Sequence, residues 1–458
     1  MKKLILFFCF IAVFAGATAE AQGTWWGTNL TQAKAAMGVA AHGSKVYFAG
    51  GFAAPTSFGT NKVEIYDLLT QEWTMENLSV ARGYLAGATN GDKIFFAGGM
   101  EELATPPITY STVDIFNTQT NVWSVANLSV PRFAPAAASF GNKVLFAGGA
   151  NAVLGVTYNT VDIYNTETEE WTTAALSEPR VAMGVAVAGG KAFFGGGFNL
   201  STVTNKVDIY DFATGTWTTD VLSEARGFVA ATAVGTKVFF AGGMKTDNTP
   251  SSRVDIYDTA TGEWTTANLS VARAFIGSNA ASACGKAFFG GGGSFNLLSP
   301  SWVEGTASNR VDIYNTLTNT WSTAQLSHHT IELGVVANGN NIFFASGSDM
   351  VNFYFFTVDV YTCEPPVGLD NANTPAPQFT LYPNPSQIGS SATRLQFTAA
   401  AAQAYTLQIT NLQGQPVMPA QTLYAGNNAV YLPSLPTGMY FVTLTSGKQV
   451  QTLRWVVQ

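Results

Sequence analysis

Five arginines, Arg82, Arg132, Arg180, Arg226 and Arg273, each stand nine residues past a tryptophan. Seven acids, Glu64, Asp114, Asp162, Asp208, Asp255, Asp312 and Asp359, each follow the valine of a short run such as "VDIY". Guanidinium and carboxylate together can bind anions or move protons. A catalytic constellation needs one special geometry, however, and these groups recur along the chain at a fixed interval. The favoured reading is therefore a buried ion pair made once per repeat, since buried charges persist mainly when paired. An arginine-lined channel for an anionic ligand is the functional alternative.

Sharper chemical candidates lie where the repetition breaks. The stretch "LSHHTIELG" (326–334) stands where sibling stretches read "LSVARGYLA" or "LSEARGFVA". Thr330 replaces the recurrent arginine, and His328 and His329 replace Val-Ala or Glu-Ala. Adjacent histidines with Glu332 nearby suggest a metal site, but neighbours on a strand point to opposite faces, so no metal is expected. A second break is the loop "GSFNLLSPSWVEGTASNR" (293–310), the longest of its kind at 18 residues, which carries Phe295 and Trp302. Its counterpart in the next unit carries Phe353 and Tyr354. Aromatic side chains on loops over a rigid scaffold hold sugars and peptides in many proteins. Phe295, Trp302, Phe353, Tyr354, His328 and His329 are thus the candidate ligand-binding residues, with packing against the adjacent unit as the competing role for Trp302.

The elements that position these residues follow from the repeat itself. "VDIYNTLTNTW" (311–321) has near-copies at 63–73, 113–123, 161–171, 207–217 and 254–264, each with the same Val-to-Trp spacing. In step with it run "FAGG", "FGGG" or "FASG" segments whose phenylalanines are 48, 50, 48, 46, 49 and 55 residues apart. Within one unit the signals are four short strands: "RGYLAGATN", a turn at "NGD", "KIFFAGG", a loop, "TVDIFN" and "VWSVANL". A period near 50 belongs to propeller blades rather than helical solenoids. Paired glycines allow positive φ and close backbone approach.

Composition narrows the partners. Charged residues are 11% of the 458 and the formal net charge is −7, so the chain has neither a nucleic-acid footprint nor a polybasic membrane patch. The start, "MKKLILFFCFIAVFAGATAEAQG", reads as a secretory signal peptide over 1–21, and no later window is long and apolar enough to span a membrane. Cys284 and Cys363 lie in different repeats, and spacing alone does not bring them together; two buried free thiols are the simpler expectation.

An arginine, an apolar strand ending in a glycine pair, then Tyr and Trp at fixed spacing resembles the kelch repeat. The resemblance covers about residues 24–362 and implies an all-β fold, a β-propeller of four-stranded blades. Seven "GG"-type and seven "VDIY"-type strands occur, but no tryptophan follows "VDVY" (358–361) within its repeat. Trp25 stands 23 residues before Phe48, as Trp73 does before Phe96, so "WWGTNL" is expected to be the missing outer strand of a seventh blade. Galactose oxidase is similar in its kelch propeller, but its copper takes two histidines and two tyrosines, and the three histidines here do not supply that set. The turn of sialidases is not matched around Trp264. A sialic-acid mutarotase also resembles this fold and stays open.

Beyond a linker at 363–378, the strands "FTLYPNP", "AYTLQITN", "NAVYLPSL" and "GMYFVTLTSG" suggest a small immunoglobulin-like β-sandwich over 379–458. The order "YPNP", "LQITNLQGQPV", "LPTGMYFVTLTSG" resembles the C-terminal sorting domain (type A) of the type IX secretion system, with Tyr382, Pro383, Asn384, Pro385, Gly414, Gly438 and Tyr440 as its motif residues. The resemblance implies export to the medium or the outer surface of a Gram-negative bacterium, with the secretion machinery as a partner. The expected function is a secreted or surface recognition module, over 22–362, that binds a glycan or protein through one propeller face. It needs no cofactor, and no catalytic residue is assigned. The competing class is an extracellular carbohydrate-active enzyme: a hydrolase, lyase or mutarotase.

Overall fold

The computed structural model describes residues 23–363 other than 55, 57, 200, 276–279, 295–305 and 350–352. Toward the C-terminus it describes 378–382, 394–398, 405–411, 415–423, 428–431, 435–446 and 449–457. The expected signal peptide and most of the linker lie outside the described residues. The chain divides into two compact units, one of them Gly23–Cys363.

In that unit the repeat makes one antiparallel sheet per copy. The second copy is typical. Ala86–Asn90 is innermost, and Lys93–Ala97, Thr112–Asn117 and Val122–Asn127 follow in order outward. A two-residue turn joins the first two strands, and Gly91 takes the positive φ of 55° that such a turn demands. Ile94, Phe95, Phe96 and Ala97 are all fully buried, because both faces of this strand meet a neighbouring sheet.

Among the described residues, seven such sheets occur. Their innermost strands touch in cyclic order, the last (Gly334–Asn338) lying against the first (Gly38–His42). The sheets therefore close into a ring, a β-propeller.

The fixed Val-to-Trp spacing has a physical reason. The Tyr or Phe of the third strand is paired across the sheet with the Trp of the fourth: Tyr66↔Trp73, Phe116↔Trp123, Tyr164↔Trp171, Tyr210↔Trp217, Tyr257↔Trp264 and Tyr314↔Trp321. An inserted residue would put one ring on the opposite face. The closing sheet remakes the same pair from distant parts of the chain. Gly23–Asn29 runs antiparallel to Thr357–Cys363 and sets Trp25 opposite Tyr361, ring centroids 5.2 Å apart. Each such pair contributes about 0.5–1.5 kcal/mol beyond its buried area.

The two cysteines correct the expectation of free thiols. Cys284 and Cys363 form a disulfide, with Cα atoms 6.4 Å apart. Cys363 ends the strand that receives the N-terminal strand, opposite Gly23, and Cys284 follows the innermost strand of the preceding sheet. Ring curvature brings together what sequence separates by 79 positions.

Among the described residues, the C-terminal unit contains two antiparallel sheets. Gln378–Tyr382, Arg394–Thr398 and Asn428–Tyr431 form one; Gln421–Leu423, Tyr405–Thr410, Gly438–Ser446 and Gln449–Val457 form the other. Alternation buries Tyr405, Leu407, Ile409, Tyr440, Val442, Leu444, Trp455 and Val457 on one face of the four-stranded sheet.

Among the described residues, no helix is long and apolar enough to cross a membrane.

Candidate site at one mouth of the propeller channel

The recurrent charges are structural. Arg82 pairs with Asp114 at 2.8 Å, Arg132 with Asp162 at 2.5 Å and Arg273 with Asp312 at 2.7 Å; Arg180–Asp208 and Arg226–Asp255 repeat the contact. Lys34–Glu64 does the same in the first blade. All six cations are buried. Burial pulls each arginine's pKa down and its aspartate pushes it back. Each arginine also donates to a carbonyl of the second strand or of the glycine pair that ends it, as Arg82 does to Phe96 and Gly98. Each acid accepts from the chain entering its blade, as Asp114 does from the Ser79 N–H at 2.9 Å. The glycine pair makes room: a Cβ on Gly98 would sit 2.4 Å from the Arg132 carbonyl oxygen.

The seventh blade lacks the cation. Thr330 donates to the Ser346 carbonyl, and Asp359 is held by the Ser327 N–H and hydroxyl.

Two residues beyond each of these six cations, and beyond Thr330 in the seventh blade, the backbone turns left-handed. Ala36, Tyr84, Ala134, Ala182, Phe228, Phe275 and Glu332 all have φ between 48° and 56°. Each precedes the innermost strand of its blade by two or more residues, so the seven rim one mouth of the central channel. Backbone hydrogen bonds link several in sequence: Ala36 N–H to Glu332 O, Tyr84 to Ala36, Ala134 to Tyr84 and Phe228 to Ala182. The backbone is thus seven-fold while the side chains are not. Phe228, Phe275, Glu332 and Tyr84 form one arc, interrupted only by Ala36, and Ala134 and Ala182 stand opposite.

Within the arc, Tyr84 reaches past the small Ala36 and donates its hydroxyl to Glu332 Oε1 at 2.5 Å. Its ring packs on Phe52 and Phe133, with Met100 and Tyr354 in the same cluster. Phe228 and Phe275 stack face to face, centroids 3.8 Å apart. Burial raises the Glu332 pKa, Tyr84 opposes that through its hydrogen bond, and Glu102 raises it further. Burial, then the Glu332 charge, hold the Tyr84 phenol well above its ordinary value. A carboxyl shifted upward beside a phenol can exchange protons with a bound hydroxyl, and the rings offer apolar faces. The channel adds little: its innermost strands carry no acid or base except His42, at the far end.

The candidate residues read from sequence are distributed as follows. Tyr354 joins the Tyr84 cluster. Phe353, on the same loop, is 68% exposed. His328 and His329 are exposed on the strand Thr320–Thr330; His328 stacks on Phe355 at 4.4 Å, and a ring nitrogen of His329 lies 3.1 Å from the Ala307 carbonyl. Phe295 and Trp302 lie outside the described residues, as do Pro383, Asn384, Pro385 and Gly414 of the tail motif. Of Tyr382 only the backbone, in a strand, is described. Gly438 opens a strand and Tyr440 donates to Pro436 O at 2.9 Å. Among the described residues, no group of three or more His, Cys, Asp or Glu could hold a metal ion. Tyr84, Phe228 and Phe275 were missed by sequence reasoning. The signal was there: aligned on the six cations and Thr330, the second position beyond reads Ala, Tyr, Ala, Ala, Phe, Phe, Glu.

Comparison with known families agrees with the repeat and the tail. The KLHDC2/KLHL20/DRC7 kelch-repeats domain matches residues 134–347, and the kelch motif matches 33–77. The secretion system C-terminal sorting domain matches 380–458. The chain is similar to a solved structure described as that of YjhT, with a TM-score of 0.51 and 14% identity, over 65% of this chain and 99% of that one. At that identity the likeness speaks to the fold alone. No curated protein matches the chain.

Proposed function

We propose a function from the premise that this chain is a kelch-repeat protein with a C-terminal type IX sorting domain: it is an exported recognition module that seats a glycan in the aromatic arc at the channel mouth. The observation that carries this is the contrast at seven equivalent positions, where Ala134 and Ala182 leave one side of the rim open and three aromatic residues and one acid, with only Ala36 among them, crowd the other. In a closed ring, only departures from the repeat can single out one site. Sugar rings present apolar C–H faces to aromatic side chains and hydroxyls to polar ones, and the arc supplies both kinds of partner. Tyr354 joins this surface through the Tyr84 cluster, and Phe353 is exposed on the same loop.

Export follows from the tail. The N-terminal segment would carry the chain across the inner membrane and the sorting domain across the outer one. Deleting residues 379–458 should leave a folded propeller in the periplasm; undiminished appearance in the medium would overturn the export reading. For recognition, the test is a glycan array probed with the parent protein and with Phe228→Ala. Loss of every hit in the variant, with the fold intact, supports the mouth as the site, and an unchanged pattern sends the search elsewhere.

The Tyr84–Glu332 hydrogen bond favours a second reading, an enzyme acting on a reducing sugar. Interconversion of anomers needs only a proton delivered to the ring oxygen and another removed from the anomeric hydroxyl, so an acid–phenol pair suffices. Turnover monitored on any array hit separates the two.

A further inference from the structure

The cations that the repeat brings to this end of the channel are already committed. Lys34, Arg82, Arg132, Arg180, Arg226 and Arg273 are buried against their own carboxylates. None of these six is left to meet an anionic ligand. Glu332, by contrast, has capacity to spare. Its Oε1 accepts from Tyr84, and among the described residues its second oxygen has no protein donor. The charged groups acting on it and on Tyr84 from the elements packed around them are Glu102 and the Tyr354 phenol; no base is among them. The Tyr84 ring meets Glu332 directly with Tyr354 in its cluster, and Phe228 and Phe275 hold the preceding positions of the same rim. A carboxylate among aromatic faces is a favourable environment for a cation, through charge pairing and the ring quadrupoles together.

We infer that the mouth selects an amino sugar whose free amine is protonated, the ammonium being held by Glu332 and the aromatic rim. This rests on the glycan-recognition reading. It also disfavours acidic sugars, since a sugar carboxylate would face Glu332 and Glu102, and among the described residues no base acts on Glu332 or Tyr84. A bound ammonium favours the ionised form of Glu332, whose pKa the fold holds high. Affinity should accordingly rise as pH climbs through that raised value, and fall again once the amine itself loses its proton.

The test compares two probes that differ in charge at one substituent: glucosamine oligomers and the N-acetylated oligomers of equal length, bound to the full-length protein near neutral pH. The expected result is a preference of about tenfold for the free amine, one order of magnitude in Kd. Glu332→Gln should reduce that preference to near parity through lost affinity for the free amine, with the melting temperature showing that the variant is folded. Phe228→Ala should weaken both probes. Equal or tighter binding of the N-acetylated oligomer, still sensitive to Phe228→Ala, overturns the charge inference and leaves the glycan reading standing. Binding of either probe that ignores Phe228→Ala overturns both, and absence of binding to the parent overturns the inference.

Discussion

Two rings of residues lie almost in contact at the same end of the propeller, and they repeat in opposite ways. The inner-blade ion pairs repeat in side chain: six of seven blades carry a buried cation against Asp or Glu, in one arrangement. The rim two residues further on repeats in backbone: seven left-handed residues share one φ range and carry Ala, Tyr, Phe or Glu. The first ring is what a blade needs in order to be a blade. The second is where the fold fixes the main chain and leaves the side chain unconstrained, and a positive φ at non-glycine residues persists only where the surroundings enforce it. In a symmetric array, constancy of side chain marks scaffold and constancy of backbone with varied side chain marks function.

The largest way to break this contrast is to open the ring. Without residues 23–29 the last sheet loses its outermost strand and the Trp25–Tyr361 pair, exposing an edge. Chemical denaturation of that truncated protein should lose the parent's cooperative transition, and unchanged unfolding would refute closure by the N-terminal strand. Breaking the disulfide comes next. Cys284→Ser should lower stability by about 4.5 kcal/mol, the loop-entropy expectation for a 79-residue separation. Of similar size is Asp208→Ala, which strands a buried Arg180 and should cost about 3–5 kcal/mol in a denaturation midpoint. At the rim, Tyr84→Phe should cost about 1 kcal/mol of stability at most, the worth of one hydrogen bond, and weaken ligand binding several-fold. A loss on the scale of Asp208→Ala would place Tyr84 with the scaffold.

The smallest effect is in pH. Glu332 has a folded-state pKa above its unfolded one. Its contribution to stability is thus fully present below the ordinary carboxylate range and lost as pH rises through the higher folded value. Glu332→Gln should flatten that part of the stability–pH curve, and a slope equal to the parent's would assign the titration to another group.

The fold was legible in the sequence because its demands fall on residue types. Only glycine tolerates the carbonyl 2.4 Å from a Cβ at Gly98, and only a fixed Val-to-Trp spacing keeps Tyr164 opposite Trp171. The ion pairs were legible for the same reason. The rim was not, because its constraint falls on φ, and alanine, tyrosine, phenylalanine and glutamate all satisfy it. Loop length and the His328–His329 pair drew attention outward instead, to the edge of the same face. The disulfide was hidden because Cα approach depends on ring curvature, which no single repeat encodes.

The central claim is that rim and scaffold are separable. It is tested most directly by measuring melting temperature and glycan-array binding on the same two variants, Phe228→Ala and Asp208→Asn. The account predicts that Phe228→Ala abolishes binding at a melting temperature close to the parent's, and that Asp208→Asn lowers the melting temperature while the protein still folded binds as the parent does. Intact binding by Phe228→Ala together with a sharply lowered melting temperature would contradict it.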